Sequence, residues 1–190
     1  GTLRSPQTIA GYTQESVFWP RVKGLDIAYT SIAPAPAQWF SSWINDTPIA
    51  LPGDLIGATG LEWLGSSTPI MTSGQRVFVR GSARPAGTQD PSTGVIVRYP
   101  AGTVVMSTGT MLGGLSGPIT QIHSFDSSPD GNWWVAVVTY ASSVTGQSEQ
   151  AILDTGSTYL FPSFTRATTE NPAWESFTAA FVNDQRGVTF

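Results

Sequence analysis

The chain has 190 residues and no cysteine, so disulfide staples and thiolate metal sites are excluded and packing alone must hold the fold. Charged residues make up 12% of the chain, the net charge is −4 and Lys23 is the sole lysine; with no basic cluster to displace counterions, a nucleic-acid surface is excluded. The 21 Ser and 23 Thr replace charge as the polar complement and are expected to carry solubility, while 40% apolar residues with seven interleaved Trp argue against disorder.

Over the first 70 residues, Pro20, Pro34, Pro36, Pro48, Pro52 and Pro69 divide the chain into short extended pieces. Pro36–Trp43 is read as one or two turns of helix. Asn45-Asp46-Thr47 is an N-glycosylation sequon, but the following Pro48 disfavours its use. Arg76–Arg80 is a short β-prone run. The segment Gly81–Thr93, rich in small residues, is read as a long connection, and a loop of that length between strands points to function.

Further along, Gly94–Tyr99 and Thr103–Ser107 flank Pro100-Ala101-Gly102, which reads as a tight hairpin turn. Gly113–Pro118 is a flexible crossing before the alternating strand Ile119–His123. The turn Ser128-Pro129-Asp130-Gly131 feeds Trp133–Tyr140, whose β-branched and aromatic residues make it the best central strand. Gln150–Leu153 and Thr158–Phe161 are shorter strand candidates. Asn171-Pro172 looks like a helix cap with Pro at the first position; Trp174, Phe177, Ala180 and Phe181 follow at helical spacing and Gly187 closes the stretch. The longest apolar run, Trp133–Ala141, is too short to span a bilayer. Together these signals predict an all-β fold, an antiparallel β-sandwich or barrel with long loops and one short C-terminal helix. Residues 1–190 read as a single domain, and the opening Gly1-Thr2-Leu3, without Met, is expected to mark a fragment of a longer chain.

Chemistry-bearing motifs are few. Ala151–Ser163, with two apolar residues, then Asp154-Thr155-Gly156-Ser157, then the apolar stretch Thr158–Phe161, resembles the active-site segment of pepsin-like aspartic proteases, where two aspartates share one proton. A second such motif is absent, and the plainer reading is a turn with Asp154 accepting a backbone bond. Gly114–Pro118 faintly resembles a serine-protease nucleophile loop, but its three partners, ending at His123 and Asp126, fall within one strand-turn unit and would not converge. His123 is therefore read as a surface or half-buried strand residue. Asp126 and Asp130 lack the oxygen set of a calcium site, and the pairs Asp54/Glu62 and Glu170/Glu175 read as solvated carboxylates rather than glycosidase dyads. No catalytic residue, metal or cofactor is expected.

The aromatic residues divide. Trp133, Trp134, Trp174, Phe177 and Phe181 sit on regular elements and read as core. Trp19, Trp39, Trp43 and Trp63 lie in Pro/Gly-rich regions; each singly reads as core, yet as a set they are candidates for an exposed contact surface. The loop candidates for ligand contact are Arg84, Gln89 and Asp90, a planar fork donor beside two acceptors, with Trp63 added from the aromatic set.

The absent Cys, the single Lys, the missing initiator Met, the Ser/Thr/Gly/Pro-rich strands and the loop Ser82–Pro91 give the chain a character that resembles the protruding or spike domains of non-enveloped RNA-virus capsid proteins, of astrovirus and of calicivirus or hepatitis-E type. The resemblance implies a homodimeric β domain at the virion surface, extracellular, that attaches to a host receptor or glycan and is a target for antibodies. A two-fold interface would also bury surplus aromatic surface. The alternatives are an aspartic-peptidase-like enzyme using Asp154, and a carbohydrate-binding module, adhesin or tail-fibre tip.

Overall fold

The fold follows from strand-forming residues punctuated by Gly and Pro turns. A computed structural model describes residues 7–9, 11–33, 39–73, 76–112, 114–155, 164–170 and 175–190, and among these every regular element is a β-strand in an antiparallel sheet. The molecule is all-β, as expected. The sequence shows no internal boundary, but the folded chain groups into two compact units interleaved along it. The first takes residues 1–71 and 77–103; the second takes residues 72–76 and 104–190.

In the first unit, β1 (Gln7–Ile9) and β2 (Tyr12–Gln14) pair as a hairpin. A meander of β3 (Ser16–Lys23), β4 (Asp26–Ile32), β5 (Phe40–Ile44) and β6 (Thr47–Ala50) forms a four-stranded sheet in chain order. A further sheet contains β7 (Leu61–Ser66), β8 (Ile70–Met71), β9 (Val77–Pro85) and β10 (Thr93–Tyr99), with β9 between β10 and β7 and β8 also on β9. Two sequence expectations are corrected here. Where helical turns were expected over Pro36–Trp43, the described part is strand β5, because Trp43 and Ser41 must face Tyr29 and Ser31 of β4 across the ladder. Moreover β9 continues to Pro85, so the connection read as Gly81–Thr93 shrinks to residues 86–92.

The first unit's core is aromatic with a polar seam. Trp43 lies parallel to Tyr29, with ring centroids 6.3 Å apart, and packs with Leu51 and Val17. Trp63 is fully buried, and its indole N–H donates to the Tyr99 hydroxyl at 2.8 Å. Gly81 makes room for it: a Cβ there would stand 2.2 Å from the Gly65 carbonyl oxygen and 2.7 Å from the Trp63 ring. Buried hydroxyls satisfy one another rather than water, as buried polar groups must. Thr30 and Thr68 meet at 2.7 Å and Ser31 and Ser41 at 2.9 Å, while the Ser42 hydroxyl shares its proton between Ser66 Oγ and the Ser67 carbonyl. A subset of the Ser/Thr complement thus serves the interior, not solubility.

The second unit is built on β12 (Ile119–Ser127), β13 (Trp134–Ala141), β14 (Ser148–Thr155) and β15 (Phe164–Thr168), paired in that order; β11 (Thr103–Ser107) leads into it from the first unit. The expected central strand is present as β13, with Trp134–Val138 buried on both faces between β12 and β14. Val135, Val137 and Ile152 pack with Phe177, Ala180 and Val182. The latter three come from the segment expected to be a helix. Residues 171–174 and the strand candidate around Thr158–Phe161 lie outside the described residues. From Glu175 onward the chain forms no helix and ends in a ribbon of β16 (Phe181–Val182) and β17 (Val188–Thr189). Main-chain N–H groups of this segment donate to side chains, Phe177 to Gln150 Oε1 at 2.7 Å and Val182 to Asp126 Oδ2 at 3.3 Å, and these bonds take the place of helical ones. Phe181, expected in the core, is exposed.

Residues 72–76 belong to this unit through local bonds. Ser73 N–H donates to the Pro129 carbonyl at 2.8 Å and Arg76 Nη1 donates to Asn132 Oδ1 at 2.6 Å. Gly131, at φ +72°, sits so close to Thr72 that a Cβ would be 2.6 Å from its hydroxyl.

Candidate functional site

A cleft of about 450 Å3 opens in the first unit, within the span of roughly 300–1,000 Å3 typical of small-ligand sites. Its walls come from separate elements: Tyr12 and Gln14 on β2, Trp39 at the entry to β5, and Glu62 and Arg84 facing each other across the β7–β9 ladder. Trp43 and Trp63, both fully buried, supply the apolar backing. Tyr12 and Trp39 keep 42% and 45% of their surface exposed, so a ligand would find two aromatic faces already at the opening.

The polar centre is an ion pair. Arg84 Nε donates to Glu62 Oε1 at 2.8 Å, Gly87 N–H donates to Glu62 Oε2 at 3.3 Å, and Arg84 Nη1 donates to Gln89 Oε1 at 3.3 Å. The Arg84 bond first, and the Gly87 N–H second, hold the Glu62 carboxyl below its usual range, so it is a carboxylate at neutral pH. Deeper in, burial pushes the Tyr99 hydroxyl up despite the Trp63 bond, leaving it a neutral acceptor for the indole.

Of the four residues singled out for ligand contact, Arg84 and Trp63 line this cleft and Gln89 is bonded to Arg84. Asp90 is exposed in the 86–92 connection and its N–H is turned toward Thr88 Oγ1 at 3.2 Å. Arg84 lies on a strand rather than in a loop, and Trp63 backs the cleft from the core rather than offering an exposed ring. Within the set of four tryptophans, Trp43 is likewise core, while Trp19 and Trp39 are exposed. Glu62, read with Asp54 as a solvated pair, instead neutralises Arg84; Asp54 Oδ2 accepts the Leu51 N–H at 3.1 Å. Tyr12 and Gln14 are cleft residues that the sequence did not single out, and Glu62 was weighed only as a solvated carboxylate. The β7–β9 register, which places Glu62 opposite Arg84, is the signal that exposes the last of them.

In the second unit the motif residues are committed to structure. Asp154, expected in a turn, is fully buried on β14, where Arg186 Nε donates to its Oδ2 at 3.0 Å. The Arg186 guanidinium also lies 5.0 Å from the Trp133 ring centroid. Gly156–Ser163 of the protease-like motif lie outside the described residues. His123 is half-buried on β12, its Nε2 2.6 Å from Thr139 Oγ1. Asp126 accepts a backbone N–H, and Asp130 accepts from Ser128, Asn132 N–H and the Asn132 amide. Ser116 and Ser142 both donate to Glu170 Oε1 and tie three turns together. Asn45 of the sequon, at φ +52°, uses its side chain to bond Asp26 and the Ile27 N–H, which closes a turn. Among the described residues no three His, Cys, Asp or Glu side chains gather as metal ligands.

Compared with protein-family models, curated proteins and solved structures, the chain matches none.

Proposed function

We propose that this chain is an attachment domain, a projection at a virion surface that binds a host-cell receptor through the cleft of its first unit. The observation that carries the reading is the cleft itself, where two half-exposed aromatic faces flank a half-buried Glu62–Arg84 pair on adjacent paired strands. Such a site offers shape and hydrogen bonding without a reacting group; catalysis would need a nucleophile or a base with a tuned partner. The burial of Asp154 against Arg186 supports leaving the peptidase reading aside, since an aspartic dyad needs two carboxylates open to a shared water.

The test is binding of the fluorescently labelled 190-residue chain to vertebrate cells by flow cytometry, with the Trp39→Ala variant alongside. Saturable binding that the variant loses is the expected result. Saturable binding that survives Trp39→Ala unchanged places the contact elsewhere, and absence of binding to every cell line overturns the attachment reading.

A further inference from the structure

The charge balance of the cleft says what it accepts. Among the described lining residues only Glu62 and Arg84 carry formal charge, and they are bonded to each other at 2.8 Å. An anionic ligand gains nothing net from such a pair: to reach the guanidinium it must compete with the Glu62 carboxylate already there. A cation meets the mirror-image problem. The remaining polar lining side chains are neutral; Tyr12 is exposed, whereas Gln14, Ser31 and Ser41 are buried and the two serine hydroxyls bond each other.

The pair still has bonding capacity. Arg84 uses Nε for Glu62 and Nη1 for Gln89, and its side chain keeps 24% of its surface; among the described residues no bond from Nη2 is formed. Glu62 Oε2 receives one long bond, from Gly87 N–H at 3.3 Å, and a carboxylate oxygen accepts more than one. A donor and an acceptor therefore stand side by side on adjacent strands. Neighbouring ring hydroxyls, each able to donate and to accept, complement that arrangement. The exposed faces of Tyr12 and Trp39 complement the other property of a sugar ring, the apolar C–H patch on its flat side.

From these features we infer that the cleft binds an uncharged saccharide, with Glu62 and Arg84 reading adjacent hydroxyls and Trp39 and Tyr12 packing on the ring. The inference rests on the attachment reading above and narrows its ligand.

The labelled chain, displayed multivalently, is exposed to immobilised neutral oligosaccharides (terminating in galactose, fucose or N-acetylhexosamine) beside sialylated and sulfated ones. In parallel it is bound to cells before and after sialidase treatment. The expected result is binding confined to neutral glycans and cell binding that sialidase leaves intact or raises. Trp39→Ala, at an exposed position, lowers that binding about tenfold or more without changing the melting temperature, and Arg84→Met with Glu62→Gln does the same while the fold persists. If the pair merely clamps β7 to β9, the double variant melts earlier and binds neutral glycan as before, which overturns its role. Binding confined to acidic glycans, or cell binding removed by protease and untouched by glycosidases, overturns the neutral-saccharide inference while the attachment reading stands. Absence of any cell binding brings down the reading beneath it.

Discussion

Asp154 shows how one side chain can mislead when read from its neighbours alone. The apolar residues before it and Thr155-Gly156-Ser157 after it suggest an exposed catalytic turn, whereas burial on β14 makes it one half of an internal ion pair. Removing the other half strands a desolvated carboxylate, which costs far more than the pair contributes when intact. Arg186→Ala is therefore expected to lower the unfolding free energy by about 3 kcal/mol, read as a shift in the urea midpoint at unchanged slope. A shift near zero would mean that water reaches Asp154 once the guanidinium is gone. Trp63 is a second lesson at this scale. Its glycine-rich surroundings read as loop, yet Gly81 is what admits the indole: a side chain there would collide with the Trp63 ring and with the Gly65 carbonyl of the neighbouring strand.

At the scale of elements, legibility tracked how locally each strand is specified. Strand β13 could be read because its apolar run needs no information from elsewhere; β12 is also a strand, but two register shifts break the alternation expected of it, with Ile119 and Ile122 buried and Thr120 and Gln121 exposed between them. The C-terminal segment could not be read locally. Phe177, Ala180 and Phe181 stand at helical spacing, but Gln150 and Asp126, far away in sequence, capture the backbone N–H groups that a helix would have used. The cleft was half legible for the same reason. Arg84 and Trp63 were visible as residue types, whereas Glu62 became meaningful only once β7 and β9 were set in register. That ladder makes an element-level prediction. Gly81→Ala forces a methyl group into the Gly65 carbonyl and the Trp63 ring, with backbone on one side and a fully buried indole on the other. The variant is expected to lose about 1–3 kcal/mol or more in overpacking, seen as a lower melting temperature and a changed tryptophan emission. An unchanged melt would mean that β7 and β9 can part without cost.

Taken whole, the molecule carries few charges, and several of its carboxylates are tightly held. Partial burial opposes ionisation of Asp130, but Ser128, the Asn132 backbone and side-chain N–H groups and Asp184 outweigh it and hold the carboxyl down at about 2 against an ordinary 3.8. Ser116 and Ser142 lower Glu170, and Arg84 lowers Glu62. Folded-state values below the unfolded ones mean that the unfolded chain takes up protons first on acidification. Stability from these groups is complete above the ordinary carboxylate range and is lost as pH falls toward the folded value of about 2. Urea midpoints are expected to stay level from pH 7 to about 5 and to decline between about 4 and 2; a midpoint that rises on acidification would contradict the assignment.

The interleaving of the two units has a further consequence, for the order in which the molecule can be made. Every residue of the first unit has been synthesised once Thr103 is added, while the ribosome is still at work on the rest of the second. The second unit has its earliest contribution, residues 72–76, long before the turn at Pro129–Asn132 that receives them exists. Its core is filled later still, when Phe177, Ala180 and Val182 arrive. Neither unit can be excised as one uninterrupted stretch of chain, and a translating ribosome completes them in a fixed sequence, with the cleft-bearing unit first.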